Sequence, residues 1–221
     1  MAIELDFAAV LTEWPLLVKG VAWTLGLTAV SAVLGVLLGI GCAWVRTQGP
    51  GWSRPGVAAY VELIRNTPFI VQLFFIFFGL PALGLRLSPE WSSVIAMVIN
   101  LGAYSAEIVR AGIQTTPAGQ IEAAMSLALS RMQTFIWVVL PPALRRVWPA
   151  LVSQIIIVML GSAVCGQIST EELSFAANLI QSRNFRAFEA FIVATVIYLL
   201  LSGIVRWVLN QLGQRFIFGG R

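Results

Sequence analysis

The chain has no histidine, a single lysine and two cysteines in 221 residues. Cys42 and Cys165 each lie inside an apolar run. Neither a disulfide framework nor the usual His/Cys metal site can be assembled from that inventory. The lysine, Lys19, stands in Val-Lys-Gly, so no glycine-rich loop ending in Gly-Lys-Ser/Thr is present to cradle a phosphate chain. The chain is therefore expected to bind no cofactor and to hydrolyse no ATP itself. Charge of either sign is scarce: 11% of residues are Asp, Glu, Lys or Arg, against about 25% in soluble domains. The net +4 is spread over connections rather than gathered in a basic stripe, which argues against a nucleic-acid partner.

What is abundant is apolar. Hydrophobic residues make up 58% of the chain, with a mean hydropathy of +0.87. They fall in runs long enough to cross a hydrocarbon core, which takes about 20 residues per helix. The expected fold is all-α and integral to the membrane, one domain over residues 1–221, with five spans near 18–45, 57–79, 93–113, 149–168 and 188–212. The first sixteen residues carry Glu4, Asp6 and Glu13 and no Lys or Arg, unlike the basic start of a signal peptide. No cleaved leader is expected.

Orientation follows from Lys and Arg, which are retained in short cytoplasmic loops. With the N-terminus outside, the inner side holds Arg46, Arg54, Arg110, Arg131, Arg145, Arg146, Arg206, Arg215 and Arg221, and the outer side holds Lys19, Arg86, Arg183 and Arg186. Nine against four favours N-out, C-in. In that orientation Glu171 and Glu172 sit with most of the acids on the outer side. Gly35 and Gly39 in the first span form a small-xxx-small pair that lets helices approach closely in lipid, read here as packing within the subunit. The Trp residues at 14, 23, 91, 137, 148 and 207 flank the spans as interfacial anchors.

The connection 114–148 is far longer than the 2–8 residues usual between packed helices. Thr116-Pro117 reads as an N-cap followed by proline at the first helical position. Ile121, Ala124, Met125, Ala128, Leu129 and Met132 recur at helical spacing. Ser130 and Gln133 have the form of a capping box for a second helix, expected to run to about Leu140, where Pro141-Pro142 stops it. Lipid-surface helices are rich in Lys/Arg and bulky apolar groups, whereas this one offers Ala123, Ala124, Ser126 and Ala128. Small residues suit insertion into a protein cleft, and a rigid helical turn can transmit displacement.

The stretch Glu122-Ala123-Ala124, through Leu127, Ser130 and Gln133 to Leu140-Pro141-Pro142, resembles the EAA motif of ABC-importer permeases. Tyr60-Val61-Glu62-Leu63-Ile64-Arg65-Asn66-Thr67-Pro68, Val71-Gln72-Leu73-Phe74 and the run from Tyr104 to Gln114 are similar to their polar amino acid branch (histidine, glutamine, arginine, lysine and opine systems). The likeness covers most of residues 16–212. It implies a type I importer permease core of five spans, multi-pass in a bacterial cytoplasmic (inner) membrane. It also implies that 117–130 is a coupling helix presenting Gln120, Glu122, Ala123, Ala124, Ser126, Leu127, Ala128 and Ser130 to an ATPase. The implied partners are a second permease subunit, two ATP-binding subunits that hold ATP and Mg, an external binding protein and an amino acid cargo.

Three positions depart from the family pattern. Ala128 stands where a glycine is usual; a left-handed turn on alanine costs about 1 kcal/mol or more, so the break is expected nearer Ser130. Leu160 and Ser162 stand where a lysine and a threonine are frequent in the fourth-span pathway, which favours a heterodimer with a second, different permease over a homodimer. Ser169 stands where the outer loop tends to have glycine.

Asn100, Tyr104 and Glu107 fall at i, i+4 and i+7 and share one face of the third span. Ionisable groups in a span face cavities or partners rather than lipid. The stripe either lines the pathway or packs helices, with Glu107 pairing Arg110 or Arg65. Glu62, Arg65 and Arg110 read as an inner-face network or gate. Pro68 is expected to bend the second span, with Thr67 or Gln72 satisfying the backbone groups it frees. The rival reading is a passive channel or secondary carrier for small polar solutes. An intramembrane enzyme is more remote, since nothing near Glu62, Glu107 and Tyr104 resembles an activated nucleophile.

Overall fold

The computed structural model describes residues 5–219; Glu4 and Arg221, both weighed in the topology, lie outside them. The regular elements among the described residues are all helical. The short α1 (Phe7–Leu11) starts at Asp6, whose carboxylate accepts from the Ala8 and Ala9 N–H groups at 3.1 and 3.3 Å. The 35-residue α2 (Trp14–Gln48) follows, then α3 (Arg54–Arg65) and α4 (Phe69–Phe74). A π turn (Phe75–Gly79) and a 3-10 turn (Leu80–Leu83) end at Gly84, whose φ of +84° is open to glycine without penalty. Next come α5 (Pro89–Gln114), α6 (Ala118–Ser126) and α7 (Arg131–Thr134), a π turn (Phe135–Val139) and α8 (Leu140–Gly161). After a 3-10 segment (Ser162–Ile168), α9 (Leu173–Asn184) and α10 (Ala187–Leu212) complete the order, with a final π turn (Gly213–Phe218).

Four of these runs are long and apolar enough to cross a membrane: Trp14–Gln48, Pro89–Gln114, Arg131–Ile168 and Ala187–Arg215. The broken pair Arg54–Arg65 and Phe69–Leu83 makes a fifth if taken as one span. The break has the chemistry its sequence requires. Pro68 disfavours helix at the residue before it, and the carbonyls so freed are met locally. Thr67 Oγ1 donates to Leu63 O at 2.8 Å and to Ile64 O, the carbonyl that the missing Pro68 N–H leaves, at 3.4 Å, while Asn66 adds its side-chain amide to Glu62 O.

Two expectations about helix ends are overturned. Pro117 is the N-cap of α6, with ψ of 137° and no side-chain cap, so Thr116 does not cap that helix. Pro141 and Pro142 do not stop a helix; they lie in the first turn of α8. Each lacks the N–H that would reach back to Trp137 or Val138, and the wider i→i+5 turn over Phe135–Val139 occupies the place where a regular turn would need those bonds.

The chain folds into two units, each assembled from three stretches. The first comprises Met1–Ser31, Phe69–Met97 and Ile156–Val205. Its core joins Val10, Leu17, Met159, Leu173, Ile180 and Ala194. Lipid supplies no hydrophobic drive between helices, so close van der Waals contact must hold them. A Cβ at Gly20 would come within 2.8 Å of Leu173 Cα. Polar groups inside the unit are paired. Ser93 and Thr170 hydroxyls meet at 2.8 Å, and the Leu173 N–H donates to Thr24 Oγ1 at 3.2 Å. Glu172, counted from sequence among the outer loop charges, is wholly buried. It caps α9 by accepting from the Phe175 N–H at 2.8 Å and receives the Tyr198 hydroxyl at 2.5 Å. Burial pushes its carboxyl above the ordinary glutamate range, against the pull of those donors.

The second unit comprises Ala32–Pro68, Val98–Ile155 and Arg206–Arg221. The glycine pair of α2 works within the subunit, as expected: Gly35 packs on Leu101 and Gly39 on Ser105 and Ala106 of α5. Gly41 meets nothing. Tyr60 of α3 donates its hydroxyl to Ile99 O at 2.7 Å. A second cluster, with Ala43, Val109, Phe135, Val139 and Leu151, places the start of α8 against α2 and α5. Trp148 packs inside this unit against Gly213 instead of standing free as an anchor, whereas Trp14, Trp91, Trp137 and Trp207 are exposed.

Candidate functional site

The polar stripe of α5 lies in the second unit. Asn100 is 9% exposed. One turn on, Tyr104 directs its hydroxyl at Arg65 O, 3.5 Å away, and the Arg65 guanidinium carbon sits 5.5 Å from the centre of the Tyr104 ring. Glu107 completes the stripe as an ion-pair centre. Its Oε2 accepts from Arg110 Nη2 at 2.7 Å, and its Oε1 is held by Arg46 of α2. Arg46, Glu107 and Arg110 are each partly buried. A carboxylate shared by two guanidiniums in such a place is strongly held, because removing any one member leaves the others poorly compensated.

Of the expected inner-face set, Arg110 joins Glu107 directly, Arg65 joins Tyr104, and Glu62 makes no ion pair among the described residues. Arg46 was missed. The apolar run ends at Val45 in the sequence and leaves Arg46 to a loop, whereas α2 continues to Gln48 and brings Arg46 to Glu107. The usable signal was an arginine within one turn of the end of an apolar run; the pairing of Glu107 with Arg110, one of the two alternatives read from sequence, is present, and Arg46 is added to it. The buried Glu172, Tyr198 and Thr24 group was missed as well, since a loop glutamate gives no sign of burial. Leu160 is 43% exposed. Ser162 is buried and gives its hydroxyl to Met159 O at 2.6 Å.

The 114–148 segment is built from its own turn chemistry. α6 ends with paired bonds: Leu129 N–H to Ala124 O at 3.2 Å and Ala128 N–H to Met125 O at 2.9 Å. That is the Schellman pattern, and it sets the residue after the cap left-handed. Here that residue is Ala128, with φ of +59°. The break therefore falls at Ala128 and not nearer Ser130. Ser130 then caps α7, accepting from the Gln133 N–H at 3.3 Å while Gln133 Oε1 accepts from the Ser130 N–H at 2.8 Å, the capping box read from sequence. Gln120, Glu122, Ala123, Ser126, Leu127, Ala128 and Ser130 are exposed. Ala124, expected beside them, is 3% exposed and turned into the unit. Ser169 is also left-handed, with φ of +66°.

Comparison with known proteins accords with this architecture. Residues 35–218 match the family described as binding-protein-dependent transport system inner membrane component. The chain is 36% identical over 216 residues to the glutamine transport system permease protein GlnP of Escherichia coli, covering 96% of this chain and 98% of that protein. It is 34% identical to the L-cystine transport system permease protein TcyB of Bacillus subtilis, covering 91% and 87%. A crystal structure of an amino acid ABC transporter with histidines superposes with a TM-score of 0.85 at 33% identity, covering 97% of this chain and all of that one. The MetNI methionine ABC transporter, at 22% identity and a TM-score of 0.73 over 90% and 95% of the two chains, shares the fold. This chain belongs to the family of inner membrane components of binding-protein-dependent transport systems.

Proposed function

We propose that the chain is the permease subunit of an ATP-driven amino acid importer. It would work as a single membrane domain of five spans, N-out and C-in, with α3 and α4 forming one broken span. A second permease subunit, two ATP-binding subunits that carry ATP and Mg, and an external binding protein complete the machine. The observation that carries this reading is end-to-end likeness to amino acid permeases at 36% identity over 96% of the chain. Leu160, where related permeases often have lysine, favours a heterodimer in which the other permease holds cargo more fully. Asn100, Tyr104, Glu107, Leu160 and Ser162 belong to the pathway on this reading, and Glu62, Arg65 and Arg110, joined by Arg46, to an inner gate.

The coupling element is α6 and the turn after it. Its exposed face carries Ala123, Ser126 and Leu127, small or apolar groups suited to a cleft in an ATPase. Ala123→Arg places a long cation on that face without entering the core occupied by Ala124. The expected outcome is at least tenfold slower energised uptake, with the variant present in the membrane at the wild-type level and less ATPase retained on purification. Wild-type uptake and ATPase retention would remove α6 from coupling and favour a channel or carrier.

A further inference from the structure

The inner charges of the second unit do not cancel. Arg46, Arg65 and Arg110 stand with Glu62 and Glu107, and Arg46 senses the other two arginines and Glu62. Both oxygens of Glu107 are taken, one by Arg46 and one by Arg110. Glu62, one turn before Arg65 on α3, makes no ion pair with it. Arg65 is thus exposed and without a carboxylate among the described residues.

It is nevertheless positioned. The guanidinium lies over the Tyr104 ring at 5.5 Å, and the Tyr104 hydroxyl reaches back to the Arg65 carbonyl. A guanidinium beside an aromatic ring that makes no ion pair among the described residues keeps N–H groups for a planar oxyanion, which it can meet with two parallel bonds. Asn66 gives a side-chain N–H to Glu62 O and Thr67 its hydroxyl to Leu63 O, both on α3. Asn100 stands one turn from Tyr104 on the same face of α5.

We propose that the Arg65 and Tyr104 pair receives the α-carboxylate of the transported amino acid. Glu107 then serves as counterion to Arg46 and Arg110 and does not itself hold the cargo. This rests on the importer reading, so the two need separable tests.

The assembled complex, in nanodiscs and without the external binding protein, is dialysed against a mixture of the twenty L-amino acids, and the retained one is quantified by mass spectrometry. Its α-amide, which lacks the carboxylate charge, is then compared. Wild-type is expected to hold the acid at least tenfold more tightly than the amide. Arg65→Gln should weaken the acid about tenfold and leave the amide unchanged, with Arg65→Lys in between, and size-exclusion profiles should match wild-type. Equal retention of acid and amide by wild-type would overturn the proposal. So would wild-type binding by Arg65→Gln, equal weakening of acid and amide, or no retention by a complex that still supports uptake in cells. Cells lacking the chain that still import every amino acid at the normal rate would instead overturn the importer reading.

Discussion

Ala128 and Ser169, like Phe185, carry backbone strain for the turns they make. Ala128 and Ser169 are left-handed at +59° and +66°, a conformation that costs an L-residue about 1–2 kcal/mol. At Ala128 the cost is offset because the turn forms two backbone bonds, each worth about 0.5–1.5 kcal/mol net. Those magnitudes are why the expected shift of the break towards Ser130 fails. Ala128→Gly and Ser169→Gly should each raise stability by about 0.5–1 kcal/mol, read as a higher unfolding midpoint in detergent. An unchanged or lower midpoint would mean these turns are not strained. Glu172 affects stability through pH. Its raised pKa means the folded chain holds a proton that the unfolded chain releases. The stabilisation is full below the ordinary glutamate range and is lost as pH rises through the raised value. As pH rises above the ordinary glutamate range the midpoint of wild-type should fall more steeply than that of Glu172→Gln, and parallel slopes would contradict the burial account.

At the scale of elements, α2 separates two kinds of glycine. A Cβ at Gly39 would lie 2.5 Å from Ser105 Cβ and 2.9 Å from Ala106 N, whereas one at Gly41 meets nothing within 4 Å. Gly39→Ala should cost about 1–3 kcal/mol by forcing α2 from α5, and Gly41→Ala should gain a few tenths to about 1 kcal/mol; thermal unfolding of both variants tests the pair, and equal effects would refute close α2 and α5 packing. The same elements show what was legible in the sequence. Each long apolar helix lies over an apolar run, since length and hydropathy alone mark it, although α8 begins at Leu140, well before the expected start at 149. The Ser130 capping box was readable because both partners lie within one turn. Pro141 and Pro142 misled because proline is tolerated in the first turn of a helix, and the π turn before α8 puts them there. The Arg46 to Glu107 pair was hidden by a separation of 61 residues and by a helix end drawn too early.

For the whole molecule, the central claim is that this chain is one part of an energised importer. An ion-pair centre on Glu107, an Arg65 without a carboxylate partner among the described residues and an exposed α6 are separate features with separate tests. Their joint function requires the other subunits. The most direct measurement is purification of the tagged chain from its native membrane in mild detergent, with mass spectrometry of whatever remains bound and its stoichiometry. The expected result is an ATPase pair together with a second, different permease, and ATP hydrolysis that rises with the external binding protein and amino acid. Recovery of the chain with no ATPase, from a preparation in which another ABC importer stays intact, would contradict the account and leave a channel or carrier in its place.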